Sequence, residues 1–235
     1  MKNKFQIPSC QDCPSRKSSI LDDLSQEDLD KISVAKGCNF FKKGQIIFQE
    51  GNHASGIYCV HSGKIKLYRR GAEGKEQIIR FAKNGDIIGY RSILSTEALS
   101  ASASALEDTA VCFIPKSFFF EFISNNPKFT MDLMKMACHE LGEASKIITN
   151  LAQKSVRERL AEVLLILHST FGADKDNTLE VTLTREELAN MVGTATESVI
   201  RLLSEFKKDG LIAMKGKNIQ LINMKGLAQT GNVYD

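Results

Sequence analysis

The sequence lacks any long uninterrupted apolar segment. It contains no run of about 18 apolar residues, the length that a membrane-spanning helix requires. The first residues, MKNKFQIPSCQDCPSRKSS, also lack the apolar core of a secretory signal peptide. Both absences argue against export and membrane insertion, so we expect a cytoplasmic protein without a membrane partner.

Motifs of several large enzyme classes are missing as well. The chain has no recognisable Ser-His-Asp set, no HExxH sequence and no glycine-rich phosphate loop. One alternative stays open, because Cys10 and Cys13 form a C-x-x-C pair like that of thiol redox proteins. In such proteins the pair opens a helix within a βαβ unit, whereas Pro14 and a polar arm follow here. We therefore expect no enzymatic activity.

A strong charge of one sign is also absent. The 235 residues carry a formal net charge of +3, and 43% of them are hydrophobic, which is enough for one large domain or two modest ones. The total charge does not predict a polyanion-binding protein, but its distribution is informative. Four lysines lie close together near the C-terminus: Lys207, Lys208, Lys215 and Lys217. This grouping favours a local contact strip.

The first half of the chain has the pattern of a β domain preceded by a helix. The helix is predicted over residues 20–33, where Ser25 and Asp28 have the spacing of an N-terminal cap. From Cys38 to Pro115, short β-rich runs are separated by glycines at intervals of about 8–12 residues. We expect a compact antiparallel sandwich or barrel of roughly eight strands.

Beyond Pro115 the apolar period becomes that of a helix. Between Pro127 and Leu151, six apolar residues are spaced 3-4-3-4-3, as in a coiled-coil seam: Met134, Ala137, Leu141, Ala144, Ile148 and Leu151. Such a stripe can pack on its own domain, but the strict period favours a second copy of the same helix. We predict a homodimer that forms through this helix.

Two short helices are predicted near the C-terminus. Thr184 and Glu187 have the spacing of a capping box for the first helix, and Gly193 provides a turn after it. The threonines that follow, Thr194 and Thr196, are suited to cap the second helix. The buried face of this second helix is predicted to consist of Val199, Leu202, Leu203 and Phe206.

A hairpin is predicted after the second helix, in LIAMKGKNIQLIN, with Lys215 and Lys217 at its turn. Two helices joined by a glycine turn and followed by such a hairpin are typical of a winged helix-turn-helix. The second helix would then place its N-terminal side chains in the major groove of DNA.

Three of these side chains have chemistry suited to bases. Arg201 can bond to guanine O6 and N7, Glu197 can accept from cytosine N4, and Ile200 can contact a thymine methyl. Glu197 and Arg201 are also four residues apart, so a helix-surface ion pair is the alternative role. The predicted DNA contacts are Thr184, Arg185, Thr194, Thr196, Glu197, Ile200, Arg201, Lys215 and Lys217.

The chain resembles the CRP/FNR family of bacterial transcription regulators from about residue 20 to residue 222. The resemblance rests on KKGQIIFQEG, on SGKIKLYRRGAEGKEQIIRFAKNGDIIG, on the long helix and on LTREELANMVGTATESVIRLL. It implies an α+β fold with a cupin-like β-barrel sensor domain of the cyclic-nucleotide-binding type. The implied parts are an N-terminal arm (1–19), the sensor barrel (20–126), a dimerisation helix (127–152), a winged helix-turn-helix (153–226) and a tail (227–235).

The resemblance also implies a function. A homodimer would bind palindromic double-stranded DNA, with Glu197 and Arg201 reading the core of TGA-type half-sites and RNA polymerase as a further partner. The sensor barrel would signal through the dimerisation helix. Thr196 departs from the cyclic-AMP-binding members, which carry a further Arg there. A regulator that needs no small-molecule effector remains an alternative.

The residues that would bind a small effector do not match the cyclic-AMP-binding members. Those members have a Glu after the glycine that matches Gly89 and an Arg-Ser pair further along, whereas this sequence has Tyr90 and Leu99-Ser100. We therefore do not expect cyclic AMP. Haem is not expected either, because Met136 and His139 within one helical turn are weak indicators of a haem site.

An iron–sulfur cluster is the candidate cofactor that the resemblance suggests. Oxygen-sensing members hold one on a C-x2-C-x5-C segment and a distant cysteine. Cys10 and Cys13 match the first two cysteines of the segment and Cys112 matches the distant one, but Ser19 stands where the third should be; Cys38 could supply the missing thiolate. The alternative is that the barrel cysteines are small buried apolar residues and that Cys10 and Cys13 lie on a flexible arm.

Overall fold

The structure, a computed structural model, describes residues 8–233. The described chain divides into two compact units. The first contains the chain up to Arg69 together with Arg80–Leu141, and the second contains Arg70–Ile79 together with the chain from Gly142 onward.

Eight strands form the β domain. Strands β1–β8 are, in chain order, Gly37–Phe41, Ile46–Phe48, Gly56–Ser62, Ile65–Arg70, Glu76–Ala82, Ile87–Ile88, Ser102–Ala105 and Thr109–Pro115. They make two four-stranded sheets with the orders β1-β8-β3-β6 and β2-β7-β4-β5. The antiparallel pairing of β8 with both β1 and β3 brings distant parts of the sequence into register. The predicted antiparallel sandwich is confirmed.

Apolar side chains fill the interior of the β domain. One buried cluster comes from the strands and includes Val60, Ile65 and Val111. A second cluster lies where helices cover the strands, and it includes Leu29, Phe119 and several neighbours. Alternation along the strands explains this division, because successive side chains of a strand point to opposite faces.

Four helices accompany the strands: α1 (Gln26–Ala35), α2 (Tyr90–Ser95), α3 (Lys116–Asn125) and α4 (Pro127–Gln153). Helix α1 begins later than residue 20 because Ser25 is extended and acts as its N-cap. The Ser25 hydroxyl accepts a hydrogen bond from the Asp28 N–H at 3.1 Å, as the spacing predicted.

The N-terminal arm packs against the β domain from residue 8 onward. Pro14–Ser18 form a short 3-10 helix, and Cys10 is only 6% exposed. The Ser15 hydroxyl donates to the His61 carbonyl, and Lys36 Nζ donates to the Pro8 carbonyl at 2.7 Å. The flexible-arm alternative is therefore wrong for the described part of the arm, whereas residues 1–7 lie outside the described residues.

The C-terminal elements form a helix-turn-helix and a wing, which confirms the predicted α+β architecture. They are α5 (Val156–Phe171), α6 (Arg185–Val192), α7 (Thr196–Lys208), β9 (Ile212–Lys215), β10 (Asn218–Leu221) and α8 (Met224–Thr230). The sequence predicted a tail after residue 226, but α8 continues past that boundary and its Leu227 is fully buried. The last two residues of that tail lie outside the described chain. None of the helices formed by residues 8–233 is long and apolar enough to cross a membrane.

Candidate DNA-binding surface and cysteine cavity

The start of α6 and the turn after it fix the position of α7. The Thr184 hydroxyl accepts from the Glu187 N–H at 3.0 Å, and the Glu187 carboxylate accepts from the Thr184 N–H at 2.8 Å. This is the predicted capping box. Gly193 ends α6 in the left-handed region with φ of 74°, where a side chain would strain the backbone. The chain can therefore turn sharply into α7.

The predicted threonine cap of α7 is wrong. Ala195 occupies the N-cap position, and no side chain caps this helix. Thr194 precedes the N-cap position and Thr196 is already the first helical residue. Each threonine is therefore one position away from where its hydroxyl could cap the helix. The first N–H groups of α7 thus have no side-chain acceptor from a cap.

A tightly packed face holds α7 in place. Its buried residues are the predicted set: Val199, Leu202, Leu203 and Phe206. Arg157 of α5 lies 4.8 Å from the centre of the Phe206 ring and pairs with Glu205 at 3.0 Å and Asp209 at 2.7 Å. No sequence pattern indicated this contribution from Arg157. It anchors the C-terminal half of the helix.

The opposite face of α7 is exposed and carries the base-reading candidates. Glu197, Ile200 and Arg201 all lie there, and the Arg201 side chain is 72% exposed. Arg201 Nη1 is 3.5 Å from Glu205 Oε1, so the acid that Arg201 faces is Glu205. Such an exposed pair stabilises by about 0–1 kcal/mol. Arg201 can leave it readily, because Glu205 keeps its contact with Arg157.

The wing presents two lysines and is held by an arginine. Lys215 ends β9 and Lys217 follows at the turn, and both are exposed. Arg185 Nη2 donates to the Gly216 carbonyl at 3.1 Å, so Arg185 supports the wing turn, and its contact with DNA stays a prediction. Thr184 likewise serves the cap of α6.

Removing the α6 cap should destabilise the C-terminal unit. We expect Thr184→Ala to lower the free energy of unfolding by about 1 kcal/mol, since it leaves a helix N–H without its acceptor. Thr194→Ala is the matched control, because Thr194 does not cap a helix. Urea titrations followed by circular dichroism measure both. An equal loss in the two variants would contradict the assignment of the cap.

An exposed apolar stripe runs along α4. Met134 is 55% exposed, and Leu141 and Ile148 are each 68% exposed. On another face of the helix, Phe129 and Leu133 are buried against the β domain. Ala144 and Leu151 are exposed as well, whereas Ala137 packs partly against the core. Five of the six predicted seam residues are therefore exposed.

The positions that match the cyclic-nucleotide contacts carry the uncharged side chains of Tyr90, Leu99 and Ser100, of which Ser100 is exposed. Gly89, the N-cap residue of helix α2, is in the left-handed region with φ of 84°. Tyr90 is 1% exposed and Leu99 is 6% exposed. Neither side chain carries a charge that could pair with a phosphate, and Arg91, a neighbouring cation, is exposed. Met136, one of the two haem candidates, packs against the domain core, whereas His139 is exposed.

Three cysteines form a row across adjacent strands. Cys112 of β8 is directly opposite Cys38 of β1 and also directly opposite Cys59 of β3. The Cys38 and Cys112 sulfur atoms are 2.7 Å apart. All six cysteines of the chain are free thiols.

The N-terminal arm adds two more thiols and closes a small cavity over this row. The cavity is lined by Cys10, Cys13, Cys59 and Cys112, together with Lys36 and other side chains. Its volume is about 30 Å³, above the roughly 10–15 Å³ that a cavity needs in order to hold one water molecule. Among residues 8–233, no three metal-binding side chains converge as they would around a single bound ion. The possible metal ligands therefore line one cavity but do not surround a single point.

The chemistry of the lining suits a thiolate-bound group. Burial raises the pKa of Cys59 to about 12 and also raises the pKa of Cys112. Lys36 acts against both shifts. At neutral pH the buried thiols keep their protons, which metal binding would release.

Two lining residues were not identified from the sequence. Cys59 has the sequence setting of an ordinary strand residue, and no sequence motif marks His61. His61 Nδ1 lies 3.3 Å from the Cys13 sulfur, and burial lowers the pKa of the imidazole. Cys38, which was expected to complete the ligand set, contacts Cys112 instead of lining the cavity.

Comparison with known proteins defines the class of the chain. Residues 38–126 match the cyclic nucleotide-binding domain family, and residues 158–230 match the Crp-like helix-turn-helix domain family. A sensor-type β domain followed by this helix-turn-helix defines a DNA-binding transcription regulator.

Relatives of known function give the family. The chain is 32% identical to the fumarate and nitrate reduction regulatory protein of Escherichia coli K12, over 94% of this chain and 89% of that protein. It is 30% identical to the anaerobic regulatory protein of Haemophilus influenzae, over 94% and 86%. The chain belongs to the CRP/FNR family of transcription regulators.

Solved structures agree with this fold. FixK2 from Bradyrhizobium japonicum has a TM-score of 0.75 at 23% identity, covering 85% of this chain and 99% of that one. A CRP/FNR-family regulator from Thermus thermophilus has a TM-score of 0.71 at 25% identity, covering 85% and 100%.

Proposed function

We propose that the protein is a homodimeric regulator that binds palindromic operators built from TGA-type half-sites. The observation that carries this proposal is the exposed face of α7, where Glu197, Ile200 and Arg201 stand out from a helix that is anchored on its other side. To read a major groove, a protein needs a firmly held helix with exposed side chains that can contact the base edges.

The chemistry of that face supports a G·C pair as the core of each half-site. Arg201 can make two hydrogen bonds to guanine. Glu197, which lies one helical turn earlier, can accept a hydrogen bond from a cytosine amino group. Lys217 at the wing is exposed and can contact the phosphate backbone, which positions the helix without selecting sequence. RNA polymerase in the cytoplasm is the partner that such a regulator would act upon.

A palindrome requires a two-fold partner, and the stripe on α4 supports one. Its exposed leucine, isoleucine and methionine side chains repeat at the coiled-coil period. Contiguous exposed apolar surface of this kind marks a protein interface. We propose that two α4 helices pack together and carry the signal of the β domain to the recognition helices.

Selection of duplexes from a random library tests the proposal. We expect enrichment of an inverted repeat with TGA-type half-sites whose centres lie about one helical turn, or about 34–36 Å, apart. Enrichment of a single unrepeated site, or no enrichment over the starting library, would contradict it.

A second function, sensing through an iron–sulfur cluster, is supported by the cysteine cavity. Four thiols line it, and four thiolates are what such a cluster needs. Cys10, Cys13 and Cys112 would hold it, together with Cys38, as the sequence suggested, or Cys59, which the lining favours. When bound, the cluster would supply a group sensitive to oxygen and redox state. Two relatives are named anaerobic regulatory proteins, and we propose a similar class of signal here.

Metal content separates the two candidates for the fourth thiolate. In protein purified without oxygen, we expect bound iron, acid-labile sulfide and visible absorbance. Cys59→Ser should lower the iron content about tenfold or more, because loss of even an outer-shell partner costs about 10–100-fold in affinity. Cys38→Ser should retain most of the iron.

Cys138→Ser is the control, since Cys138 is exposed on α4 and away from the cavity. Iron retained by Cys59→Ser but lost from Cys38→Ser would assign the fourth ligand to Cys38. Wild-type protein without iron would refute the cluster.

A further inference from the structure

One cysteine of the row, Cys38, does not line the cavity. Cys38 is partly exposed on β1, whereas the other cysteine that it contacts, Cys112, is 6% exposed. The two residues are directly opposite each other on antiparallel strands. Opposite residues in such a pair have Cα atoms about 4.5–5.5 Å apart, which lies within the range of about 4.4–6.8 Å that a disulfide requires.

The side chains already meet. The two sulfur atoms are 2.7 Å apart, so neither strand has to move far for a bond to form. A thiol that faces another thiol at this distance, with one of the pair reachable from solvent, has the arrangement of a redox-active pair.

We propose that Cys38 and Cys112 are a reversible redox site that forms an intramolecular disulfide when a hydroperoxide oxidises Cys38. This modification does not require the proposed iron–sulfur cluster, because it needs only the two thiols and the oxidant.

The reaction proceeds in two balanced steps. The Cys38 sulfur attacks one oxygen of the hydroperoxide, the O–O bond breaks, and Cys38 becomes a sulfenic acid while water or an alcohol leaves. The Cys112 sulfur then attacks the Cys38 sulfur, the S–O bond breaks, and a second water carries away the thiol proton. The two thiols lose two electrons together, and one hydroperoxide is reduced.

Accessibility explains why Cys38 reacts first and why Cys59 does not. The oxidant must reach a sulfur atom from solvent, and Cys38 is the more exposed member of its pair. Cys59 is also opposite Cys112, but its side chain faces the cavity that the N-terminal arm covers. The second step therefore joins Cys112 to Cys38.

The disulfide would have two consequences. It closes a loop between positions separated by 74 residues, which restricts the unfolded chain and stabilises the β domain. It also removes Cys112 from the thiols that line the cavity, so that disulfide formation and metal binding through Cys112 exclude each other.

Peptide mapping tests the proposal on the full-length protein after metal removal with a chelator. The protein is treated with hydrogen peroxide, alkylated and digested with trypsin. Cys38, Cys59 and Cys112 fall in separate peptides, 37–42, 44–64 and 92–116. We expect 37–42 joined to 92–116 with the loss of two hydrogen atoms, release of the pair by dithiothreitol, and a higher thermal midpoint of the oxidised protein.

Two variants sharpen the result. Cys138→Ser should keep the 37–42 to 92–116 link, and Cys38→Ser should lose both this link and the rise in thermal midpoint. A link between 44–64 and 92–116 in the wild-type protein would overturn the assignment, as would peptides that remain unlinked. Because the protein is free of metal, neither outcome depends on whether a cluster exists.

Discussion

Replacing Leu141 by glutamate is expected to dissociate the homodimer. Leu141 is 68% exposed on α4 at the middle of the predicted seam. In a two-fold interface each substitution occurs twice. Loss of two buried leucine side chains alone would weaken association by roughly 3–6 kcal/mol, which corresponds to roughly 10²–10⁴ in the dissociation constant. Two facing carboxylates would add repulsion.

Sedimentation velocity at micromolar concentration measures this effect. The wild-type protein should sediment as a dimer and Leu141→Glu as a monomer. Val34→Glu is the matched control, because Val34 is also an exposed apolar residue, at 89%, but lies on α1. A dimer that survives Leu141→Glu, or one that is lost equally in the control, would place the interface elsewhere.

Replacing Arg201 by alanine is expected to abolish most of the sequence preference. A bidentate contact to guanine contributes about 1–3 kcal/mol of discrimination and the dimer makes one in each half-site, so affinity for the preferred operator should fall by about 30-fold to 2 × 10⁴-fold. Affinity for unrelated duplexes should change far less, since they do not offer the guanine. The fold should be unaffected, because the Arg201 side chain is 72% exposed.

Fluorescence anisotropy with both duplexes at one salt concentration separates base reading from phosphate binding. Lys207→Ala is the matched control: Lys207 is an exposed cation of the same helix, in its last turn. We expect this variant to weaken binding to all duplexes alike, or not at all. If Arg201→Ala behaves in the same way as Lys207→Ala, Arg201 contacts phosphate and does not read a base.

Local patterns were sufficient to predict the helix-turn-helix. The buried face of α7, the capping box at Thr184 and the turn at Gly193 each follow from residues within one or two helical turns of one another. Periodicity, capping and glycine conformations act over that range. The strand content of the β domain was predicted for the same reason.

Features that depend on distant contacts could not be predicted in this way. Cys59 joined the cavity because β3 pairs with β8 in a register that sets it opposite Cys112. Arg185 supports the wing because its guanidinium donates to the carbonyl of Gly216, which is distant in the sequence. The cap of α7 was missed for a different reason, since a shift of one residue decides whether Thr194, Ala195 or Thr196 lies at the N-cap.

The central claim is that a dimer reads a palindrome through α7. It is tested most directly by the binding of wild-type protein to two duplexes of equal length and composition, one with an inverted repeat of TGA-type half-sites and one with both half-sites scrambled. At fixed salt we expect two chains per palindromic duplex and an affinity at least about 10³-fold above that for the scrambled duplex. Equal affinity for the two duplexes would contradict the claim.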